Sequence, residues 1–216
     1  MTSPGPRERA AAAAAIVRVC RRLYERGLVA GPDGNVSVRL NSDVILVTPS
    51  ALSKVDVTPE DLVEVSPDGR QLAGERKPSS ELRMHLRIYA RRADARAVVH
   101  AHPPTATAFA VAGESFMAPV LPEVILQMGE VPLVPYATPG TEELADLFEP
   151  FLPAHDAFLM ANHGATTLGP TLEVAHQRME SLEHAATILL AARALGRVNE
   201  LSAIDANRLR GSREGR

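Results

Sequence analysis

The sequence predicts an α/β fold: a single-domain, three-layer sandwich with a central sheet and helices on both of its faces. Three observations point there. Segments with the 3.6-residue apolar period of helices are interleaved with short alternating or wholly apolar runs that read as strands. Hairpin turn signals recur between the strand candidates, so the sheet reads as mixed or antiparallel. No internal repeat and no linker rich in Gly, Pro or Ser divides the 216 residues. Residues 1–199 therefore read as one domain and residues 200–216 as a polar, frayed tail.

The elements follow in order. Residues 6–26 form a first helix: alanine and arginine favour it, Ile16, Val19, Cys20 and Leu23 mark one face, and Gly27 ends it. Residues 36–40 and 44–48 alternate as strands around a turn at 41–43. Residues 62–65 and 71–72 flank the turn Pro67-Asp68-Gly69. Ser79 or Ser80 caps a helix running to Arg92, with Leu82, His85, Leu86 and Tyr89 on one face. Residues 97–101 are an apolar strand, and Pro103 and Pro104 suit the first turn of the next helix. Residues 131–134 read as a strand, and Thr141 caps a helix of about ten residues with acidic groups in its first turn. Residues 156–161 and 165–168 are strands either side of Asn162-His163-Gly164. Thr171 caps a long helix to Leu195, closed by Gly196.

Composition excludes several classes of function. Hydrophobic residues make up 45% of the chain, which is not a disordered composition, and 23 basic against 26 acidic residues give a formal charge of −3. No basic stripe with interleaved aromatics appears, so no nucleic-acid partner is expected. The single cysteine, Cys20, excludes an internal disulfide and a thiolate zinc knuckle, so any metal falls to His, Asp or Glu. No apolar run approaches the ~18 residues of a membrane span. The N-terminus lacks the basic-then-apolar order of a signal peptide. A cytoplasmic protein with no membrane partner is the expectation.

The chemistry concentrates in three histidines. His100 and His102 are two apart in a strand, which places both imidazoles on one face. His163 lies in a second strand-to-turn segment, beside Gly164. A His-x-His pair alone is common, and a histidine at a strand end often only bonds to backbone; the third histidine in a like context points to a metal. Three imidazoles leave a fourth position open, the pattern of a catalytic site. Zn²⁺ is the expected ion, and Co²⁺, Mn²⁺ or Fe²⁺ also suit three histidines.

Pro78-Ser79-Ser80-Glu81 opens a helix, where hydroxyls and free backbone N–H groups favour an anion, and Glu81 stands within reach of a metal-bound substrate. Gly34-Asn35-Val36-Ser37 and Thr48-Pro49-Ser50-Ala51 are further turns with accessible donors. Each alone reads as a cap or turn; together they offer neutral donors suited to a phosphate. His85, one helical turn after Glu81, reads as pocket wall or packing, or as a group that orients Glu81. The last long helix carries Glu173, His176, Glu180, Glu183 and His184; Glu180 and His184 read as a hydrogen-bonded i,i+4 pair in preference to a second metal site. His155 and His176 read as surface residues.

Taken together, Gly34-Asn35-Val36-Ser37, Thr48-Pro49-Ser50, Lys77-Pro78-Ser79-Ser80-Glu81, Val98-Val99-His100-Ala101-His102, Pro135-Tyr136-Ala137-Thr138 and Asn162-His163-Gly164 resemble, in order, the class II aldolase/adducin family, specifically its L-fuculose-1-phosphate aldolase type. The resemblance runs from about Ala11 to Leu195. It implies a mostly antiparallel sheet flanked by helices and a homotetramer with sites at subunit interfaces. It implies zinc on His100, His102 and His163, Glu81 as acid/base, and Asn35, Ser50, Ala51, Ser79 and Ser80 as phosphate-binding positions. The implied reaction cleaves or forms a C–C bond of a ketose 1-phosphate, pairing a phosphorylated sugar or ketone donor with an aldehyde through a metal-stabilised enediolate. No Schiff-base lysine is needed, and neither Lys54 nor Lys77 reads as lying in an apolar pocket.

Two departures from the family bear on substrate. Ala51 stands where the family has glycine, a strained choice if the turn requires φ > 0. The aldehyde-side tyrosines are missing: only Tyr24, Tyr89 and Tyr136 occur. Glu123 lies in the region of the first of these and reads either as a replacement proton donor or as a surface carboxylate. Other activities stay open within the family. A pentulose-phosphate 4-epimerase carries Asp at the position of Glu81; a methylthioribulose-phosphate dehydratase or a ketoacid-phosphate decarboxylase uses the same enolate logic. Outside catalysis, an adducin-like binding module lacks the full ligand set that this chain retains.

Overall fold

The computed structural model describes residues 5–116 and 118–214, the last two of these by backbone alone. The ends of the predicted domain and tail, residues 1–4 and 215–216, lie outside the described residues. Helix α1 (Pro6–Glu25) buries Ala13, Ile16, Val19, Cys20 and Leu23, the helical face expected from the sequence. It ends in paired turn bonds, Gly27 N–H to the Tyr24 carbonyl (3.0 Å) and Leu28 N–H to the Leu23 carbonyl (2.8 Å). Strands β1 (Asn35–Arg39) and β2 (Ile45–Val47) form a hairpin in the register Ser37 to Val47. The Asn41 side chain closes it by accepting from the backbone N–H of Asp43 and Val44. Then follow β3 (Val63–Val65), β4 (Gln71–Ala73), α2 (Leu82–Arg91), β5 (Ala97–Ala101) and α3 (Pro104–Val111). The remainder comprises α4 (Pro122–Gln127), β6 (Leu133–Val134), α5 (Glu142–Phe148), β7 (Ala157–Met160), β8 (Gly164–Gly169), α6 (Leu172–Ala194) and α7 (Ala203–Glu214).

The eight strands make one sheet in the order β4-β3-β2-β1-β5-β8-β7-β6. Only the β6–β7 pair is parallel, so the sheet is mixed and mostly antiparallel. Period-2 alternation divides the core in two. Val36, Ala97, Val99, Ala101, Ala157, Leu159 and Ala165 pack against α1, α3 and α6. Ile45, Val47, Val98, Phe158, Met160 and Leu168 pack against α2 and α5. This is the predicted three-layer architecture. No helix among the described residues is long and apolar enough to cross a membrane.

Some sequence expectations need correction. The tail is not frayed: α7 is helical and buries Ala206 (1% exposed), docks on α4, and ties Arg210 to Glu130 at 2.9 Å. Its polar sequence with an internal Gly211 carries no apolar period, so tertiary contact decides its helicity. The short α4 also carries too few residues to show a period. The strand expected at 131–134 narrows to Leu133–Val134, with Val131 instead bridging to Phe116. The helix cap is Glu81 rather than Ser79 or Ser80, although the Ser79 hydroxyl accepts from the Glu81 N–H at 3.3 Å. His176 is fully buried on the face α6 turns inward, and its i,i+4 partner is Glu180 at 3.5 Å; His184 is exposed. Lys54 is 1% exposed, because its ammonium donates to the Pro32 (2.9 Å) and Leu52 (3.0 Å) carbonyls and joins two turns from beneath. Its amine is thus already committed.

Candidate metal centre

Strand register builds the centre. In β5, Val98 and His100 point to the α2 side while Ala97, Val99 and Ala101 point away. Antiparallel pairing sets Asn35 of β1 opposite His100 on one side and Thr166 of β8 opposite it on the other. His102 follows the end of β5, where its N–H donates to the Leu28 carbonyl at 2.9 Å. His163 sits in the tight turn between β7 and β8. A Cβ at Gly164 would stand 2.5 Å from His102 Cδ2 and 2.6 Å from the Ala101 carbonyl oxygen, so a glycine is required for this turn to close on the pair.

The three imidazoles converge. Their ring centroids are 4.8–5.2 Å apart, and one nitrogen from each lies within 4.8 Å of the others. His100 Nε2 and His102 Nε2 are 3.1 Å apart. Two of the three outer nitrogens are supported from behind: His100 Nδ1 donates to the Ala165 carbonyl (2.9 Å), and His102 Nδ1 lies 3.5 Å from Asp33, whereas His163 Nδ1 is buried with no hydrogen-bond partner. Glu81, at the start of α2, places its carboxylate 3.2 Å from His100 Nε2 and 3.2 Å from His163 Nε2. Its Oε1 is buried with no hydrogen-bond partner. Three inward nitrogens form a donor set that fits one divalent cation, with an orphaned buried carboxylate oxygen beside it.

The electrostatics follow from this crowding. Burial alone would raise the Glu81 pKa, but His100, His163 and the Asn35 amide hold its carboxyl well below the usual range. Burial and the neighbouring His100 push His163 down to about 4, and the same two causes lower His102. Burial opposes charge on His100 as well, yet Glu81 leaves it raised.

The other predicted residues divide into three groups. The segment at Thr48–Ser50 runs beside the one at Lys77–Ser79, joined by Ser79 N–H to the Thr48 carbonyl (3.1 Å) and Ser50 N–H to the Lys77 carbonyl (3.0 Å). This brings Ser50, Ala51, Ser79 and Ser80 to one region at the start of α2. Ala51 does adopt φ 57°, the left-handed conformation where the resemblance placed a glycine. The Asn35 side chain turns inward instead: its amide donates to Glu81 Oε2 at 2.8 Å, and its oxygen faces His85. Glu123 is exposed on α4, and among the described residues no hydrogen bond or ion pair joins it to the histidines. Sequence reasoning missed Ser37 and Tyr89, which bond to each other behind His85. Ser37 was legible as a polar residue at an inward strand position, but its partners lie about fifty positions away.

Comparison with known proteins places the chain in a family. Residues 14–190 match the family model described as "Class II Aldolase and Adducin N-terminal domain". A 3-oxo-tetronate 4-phosphate decarboxylase of Escherichia coli K12 is 34% identical over 178 residues, covering 81% of this chain and 84% of its own. An L-fuculose phosphate aldolase of Methanococcus maripaludis is 36% identical over 172 residues, covering 80% of this chain and 92% of its own. The crystal structure of YgbL from Escherichia coli superposes with a TM-score of 0.88 at 31% identity, over 94% of this chain and 99% of that one. The chain belongs to the class II aldolase and adducin N-terminal domain family.

Proposed function

We propose that this chain is a metal-dependent carbon–carbon lyase acting beside the ketone of a phosphorylated sugar or keto acid. The observation that carries this reading is the placement of Glu81, 3.2 Å from the inward nitrogens of both His100 and His163. His100, His102 and His163 would hold one ion, which we take to be zinc, with Co²⁺, Mn²⁺ or Fe²⁺ able to replace it. When bound, that ion supplies Lewis-acid stabilisation of negative charge on a ketone oxygen. Glu81 moves the proton at the donor carbon. The hydroxyls of Ser50, Ser79 and Ser80 and the backbone N–H groups of the turn at Ala51 receive the phosphate. A homotetramer in the cytoplasm belongs to the same reading.

Two finer reactions share this half of the site. Cleaving the C3–C4 bond of a ketose 1-phosphate releases an aldehyde and leaves the enediolate of dihydroxyacetone phosphate. Decarboxylating 3-oxo-tetronate 4-phosphate leaves the same enediolate and releases carbon dioxide. Aldol cleavage needs a group to handle the aldehyde oxygen, the role we give Glu123. Decarboxylation needs none, and the missing aldehyde-side tyrosines favour it, while relatives of 34% and 36% identity carry the names of both activities. An adducin-like binding module has no need to bury a carboxylate against two of three clustered histidines.

The deciding assay gives the zinc-loaded protein each substrate in turn. Dihydroxyacetone phosphate formed from 3-oxo-tetronate 4-phosphate selects decarboxylation. An aldol adduct formed from dihydroxyacetone phosphate and an aldehyde panel selects aldol chemistry. Purified protein without stoichiometric metal, together with a His100→Ala variant that behaves as wild type, would defeat the enzyme reading altogether.

A further inference from the structure

A continuous chain of buried hydrogen bonds runs away from the metal centre into α2. Glu81 Oε2 accepts from Asn35 Nδ2 at 2.8 Å. Asn35 Oδ1 faces His85 Nε2, and His85 Nδ1 lies 2.7 Å from Ser37 Oγ. Ser37 Oγ lies 2.8 Å from the Tyr89 hydroxyl. All five side chains are buried, with His85 and Ser37 fully so.

The direction of the chain is forced from its far end. A buried phenol proton must have an acceptor, since stranding it forfeits a hydrogen bond that no water is there to replace. Ser37 Oγ is the acceptor within reach, so the Ser37 proton passes to His85 Nδ1. His85 Nδ1 is then a lone pair, and the neutral ring carries its hydrogen on Nε2. That N–H donates to Asn35 Oδ1, which turns the Asn35 NH₂ toward Glu81. A flipped Asn35 would set an amide oxygen against a carboxylate oxygen, acceptor against acceptor. Burial, aided by the nearby His100, also pushes the His85 pKa down to about 3, which keeps the ring neutral.

We propose that His85 is a positioning residue, locked as its Nε2–H tautomer by Ser37 and Tyr89, that fixes the Asn35 amide and thereby the Glu81 carboxylate at the three-histidine centre. The inference rests on the reading of Glu81 as the acid/base. It changes the use of Asn35, whose side chain serves the carboxylate and leaves phosphate binding to hydroxyls and backbone donors. Glu81 needs this support because it caps α2 without a side-chain cap bond, so nothing in the helix itself fixes its rotamer.

The test compares wild type with His85→Leu, His85→Gln and Ser37→Ala, each zinc-loaded and checked for metal content. The readout is exchange of the hydroxymethyl proton of dihydroxyacetone phosphate in deuterium oxide. His85→Leu is expected to keep its zinc, lose roughly 10- to 100-fold in kcat, and change KM by less than about twofold. Glutamine can donate from the Nε2 position, so His85→Gln is expected to recover most of the rate. Nitrogen-15 histidine spectra of wild type should show the His85 Nε2–H tautomer, and Ser37→Ala should allow the other. The proposal is overturned by wild-type exchange in His85→Leu, by equal losses in the Leu and Gln variants, or by an Nδ1–H or doubly protonated His85. If the wild type itself does not exchange the proton, the lyase reading fails instead, and the tautomer alone then decides for or against the relay.

Discussion

At Glu81, charge and shape can be separated by one substitution. Glu81→Gln keeps the side-chain length and the oxygen that faces Asn35 but removes the carboxylate that we propose as the base. It should retain metal and lose roughly 10²- to 10⁴-fold in turnover; metal analysis beside the kinetics checks this, and loss of the ion would make Glu81 a ligand instead. Ala51 offers the opposite case, a residue strained by its backbone alone. At φ 57° its Cβ crowds the chain, and Ala51→Gly should raise stability by about 1 kcal/mol, read as a higher urea midpoint with unchanged slope. The sequence posed this question, because a turn residue expected as glycine was alanine. Lys54 was the reverse. Charged residues are by default exposed, and only the meeting of two distant turns over its ammonium buries it.

Among the elements, α3 depends on a residue far from it in sequence. It starts directly after His102 with two prolines and no side-chain cap of its own. Glu183 of α6 supplies the cap, its carboxylate accepting from the N–H groups of Thr105 (2.9 Å) and Ala106 (2.8 Å). Glu183→Ala should cost about 1–2 kcal/mol in denaturant unfolding. Because α3 anchors the chain just beyond His102, zinc affinity should fall in the same variant, measured by competition with a chromophoric chelator. The strands were legible because a short apolar run and a period-2 alternation are both local, and 97–101, an apolar run, was read to its bounds. Helices α4 and α7 were not, since one is a turn and a half long and the other is held by docking.

At the scale of the whole molecule, buried neutral histidines link stability to pH. His85 titrates near 3 in the folded protein and His163 near 4, through burial first and His100 second, against about 6.5 in an unfolded chain. The unfolded state therefore binds more protons at these two sites, so their contribution is full above about pH 6.5 and is lost as pH falls, while His100, raised by Glu81, contributes in the opposite sense. Glu81, held low against its burial by His100, His163 and the Asn35 amide, adds its own loss below about 4.5. Metal-free protein should unfold at lower urea concentration at pH 5 than at pH 7. On the proposal that His100, His102 and His163 hold zinc only in the folded state, saturating zinc should raise the midpoint at pH 7.

By itself the sequence determined the layers and the donor set. Helical and strand periods are local properties, and the residue types at 81, 100, 102 and 163 carry their chemistry wherever the chain places them. Which groups meet was decided by the tertiary structure. The register of β1, β5 and β8 sets Asn35, His100 and Thr166 side by side, and α2 then brings Glu81 and His85 to the same row. Contacts between residues tens of positions apart depend on strand order and register, and no local pattern encodes those.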